Sequence, residues 1–132
     1  MKKLVSLLLV AVMSLSLMAC GGRTLEDAFN ADPNSKTAME QLRNSVKESG
    51  MDMSVDIKGN TATYTITLPA MSEEQLEMVK DNFANMDTTE MTNEFSTGFD
   101  QIRDQIDGTV TVVAIYESAE GEEIFKVEAE VK

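Results

Sequence analysis

The sequence contains no histidine, no tryptophan and a single cysteine, Cys20. Without histidine there is no His-based catalytic triad. Without histidine or further thiols there is no zinc centre of the His/Cys kind and no iron–sulfur cluster, and a lone cysteine makes no intrachain disulfide. The seven glycines are scattered at termini and turns, so none forms a phosphate-cradling loop. No Gly-x-Ser-x-Gly elbow presents a serine nucleophile. Positive charge is also scarce: 11 Lys and Arg stand against 23 Asp and Glu, a net charge of −12 over 132 residues. That acidity repels phosphate backbones and anionic headgroups, so nucleic acid is not an expected partner.

One long apolar run is present. After Met1-Lys2-Lys3, the stretch from Leu4 to Ala19 is interrupted only by Ser6, Ser14 and Ser16, and it ends in Leu17-Met18-Ala19-Cys20-Gly21-Gly22. A membrane-spanning helix needs about 20 apolar residues, so this run is short for a span and suited to an export signal covering residues 1–19. Leu17, the small Ala19 and Cys20 resemble the lipobox of bacterial lipoproteins, although Met18 is an unusual middle residue. The resemblance implies that the Cys20 thiol takes a diacylglycerol thioether and becomes the mature N-terminus. Two acyl chains on one residue suffice for stable anchoring, each buried CH₂ contributing about 0.8 kcal/mol. Losing Lys2 and Lys3 leaves nine cations against 23 carboxylates, a net −14. Residues 20–23 then form a short tether, and residues 24–132 a single small domain held close to the outer face of a membrane.

Within that domain, Thr24 is placed to cap a first helix that Pro33 ends, because a residue before proline avoids the helical conformation. Asn34 or Ser35 is expected to cap a second helix reaching about Glu48, with Met39, Leu42 and Val46 on its buried face and Gly50 just past its end. Met51, Met53, Val55 and Ile57 then alternate with polar residues, as do Ala62, Tyr64, Ile66 and Leu68 after Gly59-Asn60. A two-residue Gly-Asn turn of type I′ or II′ pairs Lys58 with Thr61, and the apolar residues then face one another in register. Ser72-Glu73-Glu74-Gln75 is a capping box. Its helix carries Leu76, Val79, Phe83 and Met86, then loses phase near Asp87, and a second stripe runs Met91, Phe95, Phe99, Ile102, Ile106. A final hairpin sets Val110, Val112, Ala114 and Tyr116 against Val131, Ala129, Val127 and Phe125. The expected fold is α+β: a four-stranded antiparallel sheet of two β-hairpins, with the N-terminal helices and the broken central helical segment on one face.

The signal with Cys20-Gly21-Gly22, the following Thr24-Leu25-Glu26-Asp27, Gly50-Met51, Gly59-Asn60 with Tyr64, and Tyr116-Glu117-Ser118-Ala119-Glu120-Gly121 together resemble small lipoproteins of clostridial, Gram-positive bacteria built on a domain of unknown function. The resemblance spans nearly the whole chain and implies location and fold. It brings no catalytic residue, cofactor or partner.

Glu73, Glu74, Glu77 and Asp81 read as a solvated helix face, since no apolar pocket flanks them to separate their proton affinities. Asp87-Thr88-Thr89-Glu90 reads as a helix cap and not as a calcium loop. Of the seven methionines beyond the signal, Met51 and Met53 could offer thioethers to Cu(I) but are wanted as core, and Met78 alone falls off the apolar stripe. Catalytic, metal and cofactor residues are therefore expected to be none. Val113, Ile115 and Ile124 stand among charged residues on the outward face of the last hairpin, either covered by another segment or free to contact a partner. The expected function is that of a membrane-anchored, extracytoplasmic, non-catalytic binding or accessory module with a cell-envelope protein as partner. A carboxylate- or metal-dependent hydrolase and a structural envelope protein are the alternatives.

Overall fold

A computed structural model describes residues 24–100 and 106–131, with the side chains at 94, 95 and 98–100 outside that description. The expected signal 1–19, the tether with Cys20, and from the second stripe Ile102 and the side chains of Phe95 and Phe99, lie outside that description. Among those described, no helix is long and apolar enough to cross a membrane.

Helix α1 (Leu25–Ala31) begins with a full capping box: the Thr24 hydroxyl accepts from the Asp27 N–H, and the Asp27 carboxylate accepts from the Thr24 N–H. Helix α2 (Pro33–Glu48) starts earlier than the sequence reading placed it. Its cap is Asp32, whose carboxylate accepts from the Asn34 N–H at 2.9 Å, and Pro33 occupies the first helical position. The extended conformation that proline forces on its predecessor is the conformation an N-cap residue needs, so Pro33 ends α1 and starts α2. Asn34 and Ser35 are therefore helical, not caps. At the far end, the N–H of Gly50 donates to Lys47 O and that of Met51 to Val46 O, the paired bonds of a Schellman close, with Gly50 at φ +81°.

Strands β1 (Asp52–Lys58) and β2 (Thr61–Thr67) pair antiparallel in the expected register, Lys58 opposite Thr61 and Met53 opposite Ile66. Gly59 takes φ +55° while Asn60 stays at negative φ, the pattern of a type II′ turn. Helix α3 (Glu73–Ala84) opens on the Ser72/Gln75 capping box, and the chain breaks before α4 (Thr88–Asp100), where the Asp87 carboxylate accepts from the Thr89 N–H at 2.9 Å. Strands β3 (Val110–Glu117) and β4 (Glu123–Val131) form the second hairpin, again in the expected register, with a bulge between Tyr116 and Glu117.

The sheet order is β1-β2-β3-β4, and the junction of the two hairpins is parallel. Thr61 lies beside Thr111 and Thr67 beside Glu117, so the expectation of a wholly antiparallel sheet is corrected to a mixed one. The cause is the connection: two helices intervene between β2 and β3, and they return the chain to the end where β2 began. Apart from Val113, the buried apolar sheet residues from Met53 to Val131 share one face with Leu25, Leu42, Val46, Phe83, Met91 and Ile106 from the helical segments.

Asn60 holds the returning chain. Its Oδ1 accepts from the Leu25 N–H at 2.9 Å and its Nδ2 donates to Asp107 O at 2.7 Å, while its own carbonyl accepts from Thr111 N–H at 2.8 Å. Beside it Gly59 and Glu26 bond reciprocally: the Glu26 N–H donates to Gly59 O, and the Glu26 carboxylate accepts from the Gly59 N–H. One turn thus ties the start of α1, the first hairpin and the start of β3 into a single end of the molecule. We call this the Asn60 end. The other end, about 23 Å away along a seven-residue strand, gathers Met51, Leu68 and Tyr116.

Candidate functional site

At the end opposite Asn60, the sheet and α3 leave a half-open cavity of about 400 Å3. Strand termini supply Met51, Leu68 and Tyr116, the connection after β2 supplies Met71, and α3 supplies Val79, Asn82 and Phe83. Val79 and Phe83 stand one helical turn apart, so both project from α3 toward the sheet. Phe83 packs on Tyr116 with ring centroids 4.9 Å apart and stacks on Phe125 at 4.8 Å, which gives the cavity a rigid aromatic side. Met51 and Met71 give it an adaptable one. The volume lies within the range of small-molecule pockets, roughly 300–1,000 Å3.

Two of the lining residues are polar. Asn82 is exposed, and Tyr116 is 0% exposed with no hydrogen-bond partner for its hydroxyl. Burial pushes the Tyr116 phenol up to about 12, and raises that of Tyr64, buried under β2, further still. Both stay protonated at neutral pH, so Tyr116 is a hydrogen-bond donor without an acceptor and not a base. None of the seven lining residues carries a carboxylate, amine or thiol. The chemistry on offer is shape, apolar contact and one or two neutral hydrogen bonds.

A second hollow of about 260 Å3 lies between α2 and the edge strand β1, lined by Phe29, Lys36, Met39, Glu40, Arg43, Met53 and Val55. Here Arg43 Nε donates to Met53 O at 3.1 Å, occupying a carbonyl of the open sheet edge.

The sequence-marked residues are dispersed. Glu73, Glu74, Glu77 and Asp81 are all exposed on α3, and only Lys80 among their neighbours reaches across, pairing with Glu122 at 3.1 Å. Among the described residues no three Asp, Glu, His or Cys gather closely enough to hold a metal ion. The Asp87 carboxyl is held below its ordinary range by the hydrogen bonds it accepts from Thr89, as a helix cap. Met53 is core, whereas Met51 walls the cavity, and Met78 is 56% exposed. Val113 and Ile115 lie on the sheet face opposite the helices; Val113 is only 7% exposed, enclosed by its neighbours, and Ile115 is half-buried. Ile124, grouped with them on alternation alone, sits at the bulge, which breaks alternation, and packs against the main core.

Residues 25–129 match a family described as a domain of unknown function, DUF4854. The chain belongs to that family. No curated protein and no solved structure matches it.

The cavity was not foreseen. Leu68, Val79, Phe83 and Tyr116 carry the alternation of ordinary core residues, and nothing in their spacing says that the strand ends and α3 stop short of closing on each other. The one available signal is the methionine at each edge, Met51 and Met71, flexible side chains where a filled core would place branched ones.

Proposed function

We propose that this DUF4854 chain is an extracytoplasmic lipoprotein, anchored through Cys20, whose domain acts by binding and not by catalysis. The observation that carries the binding reading is the cavity of Met51, Leu68, Met71, Val79, Phe83 and Tyr116, a concave apolar site with a buried donor and no acid, base or nucleophile in its lining. The anchoring reading rests on the Leu17-Met18-Ala19-Cys20 signal. The two readings agree in space. Cys20 is four residues from Thr24, at most about 14 Å of chain, and Thr24 starts the helix tied to Asn60. The anchor therefore holds the Asn60 end toward the bilayer, and the cavity opens at the end turned away from it. A cell-envelope protein, or a ligand outside the cell, is the partner this orientation serves.

Two measurements test it. Cells fed an alkyne-bearing fatty acid should label the wild-type protein and not Cys20→Ser; an unlabelled wild-type protein overturns the anchor. The purified domain should bind the uncharged dye Nile red with a fluorescence gain, and Met71→Glu, which places a charge in the wall outside any helix or strand, should weaken that binding about tenfold with little change in melting temperature. Equal dye binding by the variant overturns the cavity as the site.

A further inference from the structure

We infer that the cavity receives a bulky apolar side chain from a basic, amphipathic peptide segment of a partner protein. This rests on the binding reading above and goes beyond it by assigning the partner's chemistry.

Three features beyond the apolar walls lead there. First, the apolar surface does not stop at the rim. Glu74, Met78 and Asn82 follow one another at i, i+4 spacing on α3, so Met78, the most exposed large hydrophobic residue among the described residues, lies one turn from the cavity-lining Asn82. A ligand wholly contained in the cavity has no use for Met78; an extended segment laid across α3 does. Second, methionine makes the walls: Met51 and Met71 inside and Met78 outside give an unbranched, polarisable surface that repacks around different apolar side chains, as suits a groove for peptides. Third, the charged residues around it are mostly acidic. Asp52 adjoins Met51, Glu74 and Asp81 flank Met78, and Glu120 and Glu122 occupy the β3–β4 loop, with Lys80 already paired to Glu122. Lys47, on the last turn of α2, is a further cation toward this end. Such a rim repels fatty-acid carboxylates and anionic peptides and attracts Lys and Arg flanking an apolar anchor.

The probe is a fluorescein-labelled peptide of about 14 residues made of Leu and Lys, with leucines at helical spacing. Its anisotropy on addition of the domain should report saturable binding that weakens with salt. Replacing its leucines by serine at constant charge should abolish binding, as should replacing its lysines by glutamate. Glu74→Lys with Asp81→Lys, two exposed positions, should weaken binding about tenfold and leave Nile red binding unchanged. A leucine replaced by a photoreactive analogue should crosslink to Met71, Met78 or Val79. Equal binding of the serine peptide reduces the effect to acidic adsorption and overturns the inference. Crosslinking to the Val113 face overturns the site. Nile red binding without peptide binding, or displacement of the dye by dodecyltrimethylammonium but not by the peptide, leaves the cavity as a binding site and overturns the peptide as its occupant.

Discussion

At the Asn60 end, three segments far apart in sequence converge through hydrogen bonds of 2.7 to 2.9 Å, and the polar groups involved leave little freedom for any of them. At the other end, Met51, Leu68 and Met71 lie over an aromatic cluster with about 400 Å3 between them, and the buried Tyr116 hydroxyl has no partner. Both ends close the same four strands. Backbone bonds hold the strand ends at both, Leu68 N–H to Glu117 O at the second, but side-chain bonds between distant segments fix the first, whereas the cavity walls of the second meet through apolar contact, which is non-directional and can be rearranged around a guest. A domain of this size keeps a fixed topology and an adaptable site by placing them at opposite ends of the sheet.

The largest effect expected to sharpen this contrast is alkaline. Both tyrosines have folded-state pKa values raised above the unfolded 10. The folded state therefore holds its phenolic protons more tightly than the unfolded state. The resulting stability is complete below pH 10 and is lost as pH climbs toward 12, by about 1.4 kcal/mol per pH unit for each tyrosine. Two tyrosines then forfeit about 5 kcal/mol by pH 12, comparable with the whole stability of a small domain. Phenolate absorbance near 295 nm should rise together with loss of far-UV dichroism. Phenolate appearing while the fold persists breaks the account of Tyr116 as sealed.

Asn60→Ala comes next. It removes the acceptor of the Leu25 N–H and the donor to Asp107 O, and should lower stability by about 2–3 kcal/mol. A melt shifted by less than a degree or two breaks the claim that this turn organises its end of the molecule. Val113→Asp, a charge in an enclosed position of the outer face, should cost about 2 kcal/mol, and Ile115→Asp clearly less; equal effects mean the two share one environment.

Tyr116→Phe should act in the opposite sense, raising stability by up to about 1 kcal/mol through loss of an unpaired buried hydroxyl, and it should halve the alkaline loss. Met78→Ser should change stability by less than about 0.5 kcal/mol, with its effect confined to binding.

Much of this was legible along the chain because the determining forces act between near neighbours. Thr24 with Asp27 and Ser72 with Gln75 announce caps, since each satisfies its partner's backbone within one turn. The Gly59-Asn60 turn and the alternation on either side fix the first hairpin's register, since a slip of one residue would expose the whole apolar set. Asp32 was misread because its unsuitability for a helix interior conceals its suitability for a helix start. Ile124 was misread because a bulge suspends the rule by which its face was assigned. The cavity could not be read at all: walls and filled core use the same residue types.

The sequence by itself determined the acidic character, the absence of histidine and paired thiols, the order of elements and the pairing within each hairpin, because composition is additive and those pairings span only a turn. Tertiary structure alone decided that β2 and β3 run parallel and that a hollow remains at one end. Alternation states which face of a strand is buried, but not which strand lies beside it or in what direction. That depends on the path of two helices across the sheet, and the hollow depends on how far α3 stands from the strand ends once the Asn60 bonds have set their positions.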